Sequence, residues 1–417
     1  MRVGTSAALL FAIFGLSCDY SHKQSQTSPE QQNPPSQAKS NQDTARFRAE
    51  IQKVQDSLTQ IPDRGAALYV LARRYAQVGE LRKSLALLKE CVALDEGFDP
   101  GDAPALEPLH SDREFQELVD KARRRYPPVK QASVAFTIQE KDLIPEGLAV
   151  DPDRRVFYMG SIVHKKIIKI TESGHVSDFV KPALYHLLPL VGVKVDPRDH
   201  TVWAASNNSR DSELLHFDGN GTLLERYSPP GDGPHVLNDL VLHGSQDVYV
   251  TDTFAHKVYR FDRKAHTFTA LTFPRLMLYP NGIALSDDGR RLYVADTFGV
   301  LMMDPENKAV HEVSSGKGNT LAGIDGLYWY KGDLVGVQYG TGSDRVAHWR
   351  LSADGLHVTS TIVLEYRSTL VKFPTTGAIL GHDFYFMANT GIDNLKDDKI
   401  VDPQKLEPID IAVVHLK

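Results

Sequence analysis

The chain has 417 residues, a formal charge of −6 and a pI near 6.2, so it carries no basic excess suited to nucleic acid. With 41% hydrophobic and 24% charged residues it has material for more than one folded unit. Its two cysteines, Cys18 and Cys91, exclude a disulfide framework, and no Ser-His-Asp order, glycine-rich phosphate loop or Cys-His zinc spacing stands out.

Residues 1–18 read as an export signal: Arg2, an apolar run from Ala7 to Leu16 too short for a comfortable membrane span, then Ser17-Cys18. A cysteine at that point resembles a bacterial lipoprotein box, although Gly15 stands where a leucine is usual. The resemblance implies lipid on Cys18 and an exported protein held at the periplasmic or cell surface by lipid only. Ordinary signal cleavage and an uncleaved anchor stay open as alternatives. Residues 19–43, rich in Ser, Gln, Asn and Pro, cannot bury enough apolar surface to fold and read as a tether.

Residues 44–130 turn helical. Phe47, Ile51, Val54 and Leu58 recur at spacings of three and four, an amphipathic face. The following helix pair resembles one tetratricopeptide repeat, with Leu68, Leu71, Ala72 and Tyr75 on the first helix, Gly79 at the turn, and Ser84, Leu88 and Cys91 on the second. Small residues suit the helix contact, which makes Cys91 a packed thiol. A third helix is expected over Ser111–Arg125. This all-α unit reads either as a spacer or as a docking module for a protein partner.

From residue 131 to 417 the pattern is β, and it repeats. PEGLAVDPDRRVFYMGS, LVGVKVDPRDHTVWAAS, LNDLVLHGSQDVYVTDT, PNGIALSDDGRRLYVADT, GIDGLYWYKGDLVGVQ and TTGAILGHDFYFMANT are six hairpins. Aligned, they place Glu146, Val191, Asn238, Asn281, Asp325 and Thr376 in register, 43 to 51 residues apart. Self-similarity at that period predicts a mainly β fold, a six-bladed β-propeller. The last copy supplies three strands, so residues 132–138 are expected to complete its blade and close the ring. Glycine follows the register residue in five copies, read as a sharp backbone turn; Asp239 follows in the third. Four register residues offer carboxylate or amide oxygens at one mouth of the central channel, the donor set of a hard cation. Asp252 and Asp296 read as turn caps, and the excursion over residues 391–408 as a lid or a surface loop.

These elements resemble the senescence marker protein/gluconolactonase family, with the paraoxonases as more distant relatives. The resemblance covers roughly residues 132–417. It implies a divalent cation in the channel held by Glu146, Asn281 and Asp325, with Asn238 beside the metal or substrate. Ca²⁺ is the first choice, Zn²⁺ or Mn²⁺ the alternatives. A paraoxonase-like second, structural Ca²⁺ at Asp239 is one reading, a carboxylate bonding blade backbone the other. The paraoxonase histidine dyad would fall near Val191 and Asn208, and neither is histidine. The implied function is hydrolysis of a lactone or related ester, with Asp325 orienting or deprotonating the water. Asp252 and His235 are further candidates to face the channel. The alternative is a non-catalytic propeller with a structural cation, serving recognition.

Overall fold

The computed structural model describes residues 37–316, 318–342, 344–396 and 398–417. Cys18 and most of the tether lie outside them. The first helix, α1 (Gln37–Ser57), begins inside the stretch read as tether. It is followed by α2 (Arg64–Gln77), α3 (Leu81–Leu94) and α4 (Arg113–Arg125). Asp63 caps α2 by accepting from the Ala66 amide at 2.7 Å, and Asp112 caps α4. Gly79 makes the α2–α3 turn at φ 81°, and Ala72, Ser84 and Cys91 are fully buried. Cys91 bonds the Gly65 carbonyl at 3.4 Å, and burial pushes its thiol well up, so it is an inert core residue.

Residues 133–415 form six antiparallel blades of four strands around a channel. Blade 6 is completed as expected, by Ser133–Ile138 pairing with Ile409–His415. One addition was not foreseen: Val129–Lys130, assigned by pattern to the helical unit, pairs with the outer strand of blade 5. The buried carboxylate of Glu365 secures this segment by accepting from the Gln131 and Ala132 amides at 2.8 and 2.9 Å.

All six register residues stand at the starts of the inner strands, which defines one face as the mouth. In blades 1, 2, 3 and 5 the pairing of the inner strand slips by a bulge around the register residue. A bulge re-aims a side chain that regular pleating would alternate away. The glycines that follow serve close approach, not a sharp turn. None of Gly147, Gly192 or Gly282 has positive φ, and a Cβ on Gly147 or Gly192 would meet the Val191 or Asn238 carbonyl at 2.0 or 2.2 Å. Each carbonyl belongs to the register residue of the next blade, so glycine lets the inner strands crowd the axis.

The helical unit docks on this same mouth face. Leu278, Phe298 and Ala322 of the propeller belong to the hydrophobic core of α1–α3. Polar links reinforce the contact: Thr320 donates to Asp63 at 2.6 Å, the Asp99 amide to the Thr341 carbonyl at 3.0 Å. Tyr279 donates to Glu50 at 2.7 Å, and Glu50 in turn is paired with buried Arg74 at 2.6 Å.

Candidate metal centre at the channel mouth

Glu146, Asn238 and Asp325 are buried, and Asn281 is half-buried. The Asn281 amide donates to Asp325 Oδ1. Both Glu146 carboxylate oxygens, Asn281 Oδ1 and Asp325 Oδ2 are buried without a hydrogen-bond partner among the described residues. An orphaned buried carboxylate is costly, and two at one end of a channel call for a partner. Burial first, then Asp239, push the Glu146 carboxyl up to about 8, with Lys194 opposing. Burial and then Glu146 hold Asp325 well above the usual carboxylate range, opposed by the hydrogen bond from Asn281. A hard cation would relieve both groups at once. All four orphaned atoms are oxygens, and the residues present fit such an ion.

Backbone conformation singles out the same three blades. The residue two before the register position is left-handed at Ile144 (φ 44°), Tyr279 (φ 52°) and Gly323 (φ 66°). The corresponding Pro189, Val236 and Pro374 are not. A β-branched residue with positive φ is a true outlier, and such strain gathers at functional positions. Here Ile144 and Tyr279 carry that strain, Gly323 adopts the same conformation without it, and the three positions stand two residues before Glu146, Asn281 and Asp325, the residues implied as ligands.

The neighbours of these residues hold them. Thr375 and Thr376 hydroxyls donate to the Glu146 carbonyl. From blade 3, Thr251 donates to the Asn281 carbonyl and Thr253 to that of Pro280, both at 2.8 Å. Thr253 also accepts from the Asn238 amide at 3.0 Å, so Asn238 is anchored beside the ring. The other sequence-derived candidates are engaged elsewhere. Asp239 accepts from Lys194 Nζ at 2.9 Å and from the Leu240 amide at 2.8 Å. An ammonium thus stands where a second structural Ca²⁺ was one reading, and blade-backbone bonding is what the geometry shows. Lys194, which also lies 5.1 Å over the Tyr328 ring, was missed; its signal was a lysine within the apolar inner strand VGVKV. Asp252 caps its turn, accepting from the Val236 and Ala255 amides at 3.0 Å. Its other oxygen holds His235 Nδ1 at 2.6 Å, leaving His235 Nε2 buried and unpartnered among the described residues. Asp296 likewise caps its turn.

Among the described residues two further acid–histidine clusters, Glu140–Asp142–His164 and Asp151–Asp153–His200, stand apart from the ring. The first already contains the Lys166 ammonium, 2.8 Å from Glu140; in the second, Asp151 is bonded to His200 and to two turn amides.

The 391–408 excursion roofs the mouth. Ile392, Leu395 and Leu406 pack with Ile144, Ile162, Val191 and Val236 in one apolar cluster that Tyr339 and Phe373 flank. Of the two sequence readings for this excursion, lid or surface loop, the lid describes it.

Fold and mouth geometry together define a six-bladed propeller with an oxygen-rich ring at one end of its channel. No sequence-family profile matches the chain. No curated protein matches it in sequence. Among solved structures, regucalcin from Agrobacterium tumefaciens, a calcium-binding protein, is similar at 17% identity and TM-score 0.50, over 70% of this chain and 98% of that one. The PQQ-bound aldose sugar dehydrogenase of Streptomyces coelicolor is similar at 15% identity and TM-score 0.50, over 69% and 99%. A gluconolactonase from Xanthomonas campestris matches at 15% identity and TM-score 0.48, over 70% and 96%. At such identities the likeness speaks for the fold alone.

Proposed function

We propose that the protein is a metal-dependent hydrolase of lactones or related esters. The observation that carries this reading is the set of orphaned oxygens on Glu146, Asn281 and Asp325, each two residues after a left-handed position. A divalent cation bound there, Ca²⁺ first, would polarise the substrate carbonyl and acidify water. Asn281 fixes Asp325 through Oδ1, which turns Oδ2 to the ion's side, where it would orient a water beside the ion and take its proton. A cation beside Asp325 would lower its carboxyl as well, so the gain as a base comes through the acidified water. Attack forms the new C–O bond, the ring C–O bond breaks, and the proton passes from Asp325 to the departing alkoxide. The product is a hydroxy acid. The apolar roof excludes bulk water from these steps.

A second reading is favoured by the roof itself. Glu146 is 0% exposed and Asp325 4%, as suits a cation that only stabilises a recognition platform. A panel of aliphatic and aromatic lactones, assayed with EDTA and then with Ca²⁺, Zn²⁺ or Mn²⁺, separates the two. The hydrolase reading expects turnover that chelation abolishes and one metal restores. Absence of turnover across the panel with every metal, in protein that binds the ion, supports the platform. Lipid on Cys18 belongs to this proposal: Cys18→Ala should move the protein from the membrane to the soluble fraction, and retention on the membrane would contradict it.

A further inference from the structure

Between the helical unit and the mouth face of blades 5 and 6 lies a cavity of about 420 Å³, the size of a small organic ligand. Tyr69 and Arg73 of α2 form one wall, and Tyr339, Arg367, Lys372 and Phe373 form the other. Three cations therefore face it. Two acids face it as well, Asp102 and Asp344. Asp102 is bound by Arg123 at 2.7 Å, and burial pushes Asp344 up to about 7 against the hydrogen bond from the Phe373 amide. Arg367 stands 4.0 Å from Asp99, whose carboxylate already holds Arg123 at 3.0 Å and the Gly101 amide at 2.8 Å. Lys372 pairs with Glu407 on the exposed rim, where an ion pair is worth little.

Two features mark the cavity as built rather than left over. Arg73 is only 4% exposed, a depth at which arginine is rare. Arg367 and Phe373 are both left-handed, at φ 48° and 54°, an uncommon state for bulky side chains that recurs at ligand clamps. Three aromatic rings, Tyr69, Tyr339 and Phe373, supply apolar walls beside the guanidinium groups.

We propose that this recess binds a small organic acid with an aromatic or otherwise apolar body, its carboxylate taken by Arg73 and Arg367 and its body by the three rings. The planar guanidinium fork matches a carboxylate in two parallel hydrogen bonds, which an ammonium cannot do. The helical unit then contributes half of a binding site. Phe373 also flanks the roof, so recess and ring are neighbours. That the bound acid is the hydroxy acid released at the ring rests on the hydrolase reading above; the recess itself does not.

The test is calorimetric titration of the full chain in EDTA with phenylacetate, 3-phenylpropionate and indole-3-acetate, each against its neutral amide. With divalent cations chelated, coordination at Glu146 supplies no signal, so failure of the ring and failure of the recess are told apart. Wild type should bind at least one acid about 10-fold more tightly than its amide. Arg367→Gln and Arg73→Gln should each abolish that preference, while Arg155→Gln on blade 1 should keep it. If circular dichroism shows Arg73→Gln unfolded, partly exposed Arg367 carries the test alone. Equal binding of acids and amides, no binding of any acid up to about 10 mM, or an unchanged preference in Arg367→Gln each overturns the proposal.

Discussion

Glu146 is the residue whose titration reports most on the site. In the metal-free fold burial and Asp239 raise its carboxyl from the ordinary 4.5 to about 8. The folded chain therefore keeps a proton that the unfolded chain has already released. Folded stability is fullest below the unfolded value and falls as pH rises toward the folded one. A bound cation replaces that proton, so it should cancel the fall. The expected result is a melting temperature in EDTA that drops between about pH 5 and about pH 8, and a flatter profile with Ca²⁺ present. Glu146→Gln should flatten the EDTA profile as well. Identical slopes with and without the ion would remove Glu146 from the site. The candidate positions were legible in the sequence as a pattern, because a repeat exposes the position where four copies carry oxygen donors. Ile144 and Tyr279 were not, since nothing in their side chains announces a left-handed backbone. Lys194 was hidden for a different reason: its partner Asp239 sits on the next blade, 45 residues on.

Element by element, the strands were the most legible part. Alternation, turn residues and a steady period fix hairpins locally, and the three-strand last copy demanded a closing strand from residues 132–138. What escaped is what depends on contact between distant segments. Val129–Lys130 is too short to show a pattern and is a strand only because the edge of blade 5 is there to receive it. The glycines after the register residues were placed correctly and explained wrongly. Their purpose is steric room for a neighbouring blade's carbonyl, which no single hairpin reveals. The excursion in blade 6 looked charged and loop-like. Its few apolar residues, Ile392, Leu395 and Leu406, face inward over the ring and determine its role.

At the scale of the whole molecule, the helical unit and the propeller are one structure. Sequence reading separated them at residue 130, yet Leu278, Phe298 and Ala322 lie in the helical core and Tyr279, adjoining the Pro280-Asn281 turn, is held by Glu50. A chain lacking residues 37–126 should therefore not behave as a free-standing soluble propeller. Uncovering those apolar side chains costs roughly 2 kcal/mol for each large one, so a melting temperature lower by about 10 °C or more, or aggregation, is expected. Scanning calorimetry of the truncated and full chains checks this, and equal melting temperatures would show the helical unit to be an appendage. The docking also places the helices where they bear on the ring: the loops leading to Asn281 and Asp325 are the ones they hold.

The central claim is that Glu146, Asn281 and Asp325 form one cation site. It is tested most directly by metal content and Ca²⁺ titration of wild type, Glu146→Gln and Asp325→Asn, each first shown to fold. Wild type should retain or bind a single equivalent. Each variant should lose affinity by at least about 10-fold, or about 1.4 kcal/mol, because one of two balancing negative charges is gone. Wild-type stoichiometry and affinity in both variants would contradict the account.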